Sequence, residues 1–408
     1  MSQATTATVA GRPQPQTTAQ PQGGPFIRHA PDGRRSQYVV AAANALWGGF
    51  VSQPTVSMPG YCKGYRIQFY ASGDTGSSVV LATDFPYSLA SLVQMKDAFG
   101  TQLLTGPGYQ ILGLVPLYSG QFGLDLMRSS WNSPQFSAGT TAGNFQVATY
   151  LPFEFAKAYG TISGANAALL PVLQMNIAAS SAVYSTLSTA PTGVQVTVDS
   201  DFYWLPNAPT DPPGLGTTQQ WIYQQATPII SSTGTTSTSQ LVQFPRLGGY
   251  LTTLIMELRD SSGARMTTDN PVAGYAGTTA GNGWPQRPKL LVDGVPLVDT
   301  LWGTWCEDLA IATGIGATAA TTNAAAGTVP VARPTGTFAI NRKTSLAQRD
   351  FGLLDTGEIF LSTNPGTQIE VAGYPWGYSN SSTNYMTLNA IVGQVVPTGA
   401  LVQGLPEV

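Results

Sequence analysis

Pro171-Val172-Leu173-Gln174-Met175-Asn176-Ile177-Ala178 and Pro365-Gly366-Thr367-Gln368-Ile369-Glu370-Val371-Ala372 are one phrase written twice, 365 − 171 = 194 positions apart without a gap. Proline, glutamine, the apolar-polar-apolar alternation and the closing alanine coincide. Alternation at period two is the pattern of a strand with one buried face, and a proline at its start removes no ladder hydrogen bond. Three further pairs flank this one in the same order. Pro59…Gly64-Tyr65 followed by Arg66-Ile67-Gln68-Phe69 answers Pro245…Gly249-Tyr250 followed by Leu254-Ile255-Met256-Glu257-Leu258, with the prolines 245 − 59 = 186 apart. Val93 to Gly100 answers Leu290 to Gly294, the aspartates being 293 − 97 = 196 apart, and Asp and Gly are residues that tolerate the positive φ of tight hairpin turns. Val194 to Pro206 answers Tyr385 to Pro397, 397 − 206 = 191 apart. Four matches in one order predict two copies of one module joined head to tail.

Composition sets the class of that module. The 408 residues hold Gly 45 and Pro 30 with only 10% charged side chains, a chain rich in turns and poor in helix-favouring Glu, Lys and Arg. Thr, Ser, Val, Tyr and Gln supply a strand vocabulary. Alternation with one wet face and about eight strand candidates per half predicts antiparallel sandwiches, not a parallel sheet. Halves of this size bury roughly 70% of their unfolded surface and need no staple. Lys+Arg 18 against Asp+Glu 21, net −3, gives no general electrostatic case for nucleic acid or an acidic membrane face, and no sequence-specific nucleic-acid binding is expected. Cys62 and Cys306 lie one in each half, which reads as two free thiols compatible with a reducing cytoplasm. The start shows no signal-peptide pattern, and no run of about 18 apolar residues is long enough to span a bilayer.

Residues 1–35 read as a flexible N-terminal arm, because the first 25 or so are Gln, Thr, Ala, Pro and Gly with little to bury. The first module is expected over 36–206, a proline-rich linker over 207–217 and the second module over 218–408. Tyr38 to Trp47 reads as a short helix and Ile111 to Tyr118 as a strand whose Pro116 marks an edge or bulge. The linker carries Pro209, Pro212 and Pro213 after Pro206, a stiff spacer. Gly274 to Gly283 and Gly314 to Gly327 read as long loops of small residues projecting from the surface.

A single histidine, His29 in the arm, removes triads and imidazole metal sites together. No cofactor is expected. Asp199 with Asp201 on one strand face, and Glu307 with Asp308 beside Trp302 and Trp305, are the carboxylate pairs that a glycosidase would need. Solvated turn acids are the plainer reading, and a calcium site would want about six to eight oxygens. Gly314-Ile315-Gly316 lacks the strand-then-helix setting of a nucleotide loop, and Asn380-Ser381-Ser382 fits a glycosylation pattern only in a secreted chain.

The paired modules with their proline-rich join, the strand openings Met58-Pro59…Gly64-Tyr65 and Phe244-Pro245-Arg246-Leu247-Gly248-Gly249-Tyr250-Leu251, and the stretches Leu151-Pro152-Phe153-Glu154-Phe155 and Phe351 to Gly357, each ahead of its Pro-x-x-Gln strand, resemble the double jelly-roll major capsid proteins of the tectivirus and adenovirus lineage. The likeness is to those of bacterial viruses with an internal membrane in particular, and covers about residues 36–408. It implies an all-β double jelly roll of two tandem eight-stranded antiparallel sandwiches. It further implies a homotrimer forming pseudo-hexameric capsomers of an icosahedral virion shell, assembled in the host cytoplasm, with neighbouring capsomers, penton and minor capsid proteins as partners. By the same resemblance the N-terminal region lies at the inner face, where Arg12, Arg28, Arg34 and Arg35 would meet an anionic partner such as the internal membrane. No enzymatic activity is implied. The alternative is a virion spike or adhesin that binds a host surface glycan through Trp284, Trp302 or Trp376.

Overall fold

The computed structural model describes residues 32–37, 46–52, 60–72, 79–97, 100–119, 144–154, 160–163, 171–204, 217–229, 240–244, 250–265, 284–313, 317–319, 332–341, 361–362, 368–373 and 386–397, apart from 83, 188, 261, 286 and 335. In the first half the strands are β1 (Asp32–Gln37), β2 (Phe50–Ser52), β3 (Gly60–Ser72), β4 (Val79–Leu81), β5 (Ala90–Lys96), β6 (Gln102–Gly106), β7 (Phe145–Pro152), β8 (Ile162–Ser163), β9 (Val172–Ile177), β10 (Tyr184–Leu187) and β11 (Gly193–Trp204). The second half holds β12 (Thr217–Ile229), β13 (Gln240–Phe244), β14 (Tyr250–Arg259), β15 (Lys289–Val292), β16 (Val295–Asp299), β17 (Ala317–Ala319), β18 (Ala332–Pro334), β19 (Thr337–Asn341), β20 (Leu361–Ser362), β21 (Ile369–Gly373) and β22 (Met386–Pro397).

Pairing makes the duplication explicit. One sheet of the first half runs β1-β11-β3-β7 with β8 beside β3, and one of the second runs β19-β14-β22-β12 with β20 beside β14. The facing sheets are β6-β5-β9-β2 and β16-β15-β21-β13. Each half is therefore a sandwich of eight principal strands, and the four sequence matches fall on β3/β14, β5/β15, β9/β21 and β11/β22, strands with the same neighbours in both. The fold is two tandem jelly rolls, as expected. A β-bulge is copied as well. Phe202 and Asp201 pair with Cys62 and Gly64 across an extra Lys63, and Gln394 and Gly393 pair with Leu251 and Thr253 across an extra Thr252. Bulges of this kind fix register, so Cys62 corresponds to Leu251 (251 − 62 = 189). The sequence match that set Tyr65 against Tyr250 (250 − 65 = 185) finds the right strands four positions out of step.

Two expectations change. Ile111 to Tyr118 is helical: a π-type turn, Tyr109–Leu114, runs on into an α-helical one, Val115–Tyr118, together α1. The run is buried on every side, so its apolar character carries no periodicity, and Pro116, which has no N–H to give, lies where the π-type turn passes into the α-helical one, the Leu112 carbonyl four residues before it accepting from the Thr149 hydroxyl. Gly108 and Gly113 bring the helix hard against Tyr87, where a Cβ would overlap. Its counterpart, α2 (Trp302–Thr313), follows β16 as α1 follows β6. The arm, expected to reach residue 35, gives way to β1 at Asp32, hydrogen-bonded along β11. Of the helix expected at Tyr38 to Trp47, only Leu46 and Trp47 are described; they form a turn region, and Trp47 Nε1 donates to Pro191 O at 2.7 Å. The linker, apart from Thr217 at the start of β12, and the Gly274 to Gly283 loop lie outside the described residues. Within the Gly314 to Gly327 loop, Ala317–Ala319 pairs with β18.

The halves are not separate beads. β12 lies parallel to β6, Trp221 opposite Leu104 and Ile222 opposite Thr105, which fuses a sheet of each into one nine-stranded sheet. Apart from this junction and β17 with β18, the pairs between described strands are antiparallel. One hydrophobic core runs through both halves.

Candidate functional site

The densest polar constellation is not among the residues singled out from sequence; it lies where α1 of the first half meets β14 of the second. Arg259 Nη2 donates to Asp84 Oδ2 at 2.7 Å and to Glu257 Oε1 at 2.6 Å, and Arg265 Nε donates to Asp84 Oδ1 at 3.1 Å. Gln110 Nε2 donates to Glu257 Oε2 at 2.7 Å. The Tyr109 ring lies beneath both guanidinium groups, 5.4 Å from Arg265 and 5.8 Å from Arg259. Glu257 is 1% exposed and the Arg265 side chain 0%, so the four charges sum to zero where water does not screen them. The cost of desolvating each ion is offset by short, charge-assisted bonds.

Ionisation follows from the packing. Burial alone would lower the Arg259 pKa, but the charges of Glu257 and Asp84 and the hydrogen bonds to them win, and it stands above the usual guanidinium value. Arg265 moves the same way, with burial opposed by Tyr109 and Asp84. Burial raises the Tyr109 hydroxyl, the Arg265 charge works against that, and Asp84 and Glu257 add to it. Guanidinium donors engage both carboxylates, which makes the cluster a lock and a poor general base. Nearby, Tyr118 Oη and Thr337 Oγ1 share a hydrogen bond of 2.7 Å between α1 and β19.

The carboxylates singled out from sequence sit elsewhere. Asp199 and Asp201 do share a strand, β11; Asp201 is buried with Arg66 Nη2 at 3.6 Å, and Asp199 lies opposite Arg66 in register. Behind them burial, then Asp201, Cys62 and Glu154, hold the Tyr150 hydroxyl neutral, and Tyr203 Oη donates to Glu154 Oε1 at 2.8 Å. Glu307 is exposed on α2 while Trp302 and Trp305 of the same helix are buried, so the acids and the indoles line no common cleft. Trp284 stacks on Trp302 (centroids 4.9 Å apart, planes 13° apart) and Phe338 closes the cluster, which buries two of the three aromatic platforms of the adhesin reading in a core. Trp376, Gly314-Ile315-Gly316 and Asn380 lie outside the described residues, as do Arg12 and Arg28. Arg34 and Arg35 lie on β1, at the register positions of Asp201 and Ser200. Among the described residues no three His, Cys, Asp or Glu side chains gather as a metal site, and no helix is long and apolar enough to cross a membrane.

The lock escapes a reading of sequence because its members come from positions 84, 110, 257, 259 and 265, which no local spacing joins. The one available signal was Glu257 and Arg259 on either side of Leu258 at the end of the apolar run Leu254-Ile255-Met256, where charge needs a partner.

No family model matches the chain, and no curated protein matches it in sequence. Solved structures do match along nearly its whole length. The PBCV-1 virus capsid aligns at TM-score 0.55 and 11% identity, covering 91% of this chain and 96% of that one. The major capsid protein of Sulfolobus turreted icosahedral virus aligns at TM-score 0.51 and 13% identity, covering 91% and 100%. The Faustovirus major capsid protein aligns at TM-score 0.50 and 10% identity, covering 93% and 92%. What is shared is the fold over both halves: the double jelly roll.

Proposed function

We propose that this double jelly roll is the major capsid protein of an icosahedral virus, its homotrimers forming pseudo-hexameric capsomers. One observation carries the reading: two halves matched strand for strand are fixed to one another by a shared sheet and a buried neutral charge cluster. A shell tile needs lobes of one shape held at one angle. Three copies of a two-lobed block supply six similar corners. The capsid proteins that share the whole fold support the reading, and the buried Trp284 and Trp302 weigh against the glycan-binding alternative.

The partners follow from that role: other copies of the chain, neighbouring capsomers, and penton and minor capsid proteins at the vertices, in a virion assembled in the host cytoplasm. The basic residues Arg12, Arg28, Arg34 and Arg35 are assigned to an anionic partner on the inner face, such as an internal membrane. Light scattering of the purified chain, with negative-stain imaging, tests the proposal. A particle of three times 42.8 kDa with a hexagonal outline is expected, and a monodisperse monomer overturns it.

A further inference from the structure

The duplication leaves two strand edges whose counterparts are already joined. Within the chain β6, the rim of the smaller sheet of the first half, lies parallel to β12, the rim of the larger sheet of the second. The corresponding rims are β16 and β1. Among the described strands each has one neighbour, β15 and β11 respectively. We propose that β16 of one chain adds in parallel to β1 of the next, repeating between copies the junction that β6 and β12 make within one. The inference rests on the trimeric reading above and deepens it, since it says which surfaces meet.

Four observations point the same way. Leu103 and Leu104 of β6 are buried, whereas Val295 of β16 is 62% exposed and Leu301, just beyond it, 56%; apolar side chains along an open strand edge are a liability unless something covers them. α1 is enclosed by the other half, while α2 presents Gly303, Thr304 and Glu307 to solvent. The copied bulge fixes the register of the missing partner. With Asp201 corresponding to Gly393, the β11 and β22 pairings place Arg34 where Trp221 stands and Ser36 where Tyr223 stands. The hairpin bulge is copied too, Leu103 being the extra residue between the Met95–Leu104 and Lys96–Gln102 pairs and Leu297 between the Leu290–Val298 and Leu291–Pro296 pairs, so Val298 stands where Leu104 does and Thr300 where Gly106 does.

The residue exchange at those positions is complementary. Inside the chain Gly106 leaves no room for a Cβ, which would lie 2.6 Å from that of Tyr223; between chains the bulk changes sides, Thr300 against Ser36. This contact is head to tail, and such contacts make closed rings when the rotation allows. Alternating internal and external junctions place six lobes around one axis with three chains. Backbone pairing of an edge strand with a partner's edge is an established mode of association.

Full-length protein carrying Ser36→Cys and Thr300→Cys tests the contact. After oxidation, a non-reducing gel should show covalent species of two and three chains, absent from either single substitution. A particle that scatters as a trimer yet gives no such species overturns the strand contact and leaves the trimeric reading standing; a monomer overturns both.

Discussion

Glu257 shows how one residue can join two domains. It is a buried anion inside a strand, and it is tolerable only because Arg259 reaches it from its own strand and Gln110 from the other half. Deleting one member should therefore cost far more than the cluster contributes net. Arg265→Met leaves Asp84 short of a donor, with an expected loss of about 3–5 kcal/mol in urea unfolding. Replacing Asp84 by Leu in the same chain should recover much of that loss, and additive effects would show that the pair is not coupled. Cys62 gives a second residue-scale prediction. Burial, with the Asp201 charge in the same sense, raises its thiol pKa despite a backbone hydrogen bond to Gly64 O. The folded value lies above the unfolded one, so this group's contribution to stability is intact below the ordinary thiol range and falls as pH rises through it. Native protein at pH 8 should leave Cys62 unmodified by a thiol reagent that labels it fully in urea.

At the scale of elements, Gly393 carries the junction between the halves. It pairs with Trp221 of β12, and a Cβ there would overlap the indole ring, while Trp221 itself lies opposite Leu104 of β6. Gly393→Val should push the indole against β6 and cost about 1–3 kcal/mol, read as a lower urea midpoint; an unchanged midpoint would mean that the junction has slack. The elements also show where sequence reading succeeds. β9 is legible because one face is wet and one buried, so side chains alternate, and β21 repeats that alternation in residue type although its Glu370 is buried. α1 is illegible for the opposite reason: Tyr109 to Tyr118 is apolar and enclosed throughout, and a short run of that kind suits a strand or a helix equally. Only the close packing of Gly108 and Gly113 on Tyr87 decides for the helix.

For the whole molecule, the role of the arm and the role of the fold separate experimentally. Deleting residues 1–25, which precede β1, should leave the trimer intact in light scattering and impair assembly of shells; normal particles would show that the arm is dispensable. The sequence by itself determined that there are two modules, that they are all-β and which strands correspond, because strand alternation, proline placement and turn chemistry are local and survive duplication. It also removed histidine-based chemistry, since one His29 cannot build it. Only the tertiary structure decided how the halves are joined. The β6 and β12 pairing, the cluster of Asp84, Glu257, Arg259 and Arg265, and the true register between the copies all unite residues more than a hundred positions apart. Such contacts arise when two finished surfaces are pressed together and water is excluded, and no pattern within either strand records which surface it will meet.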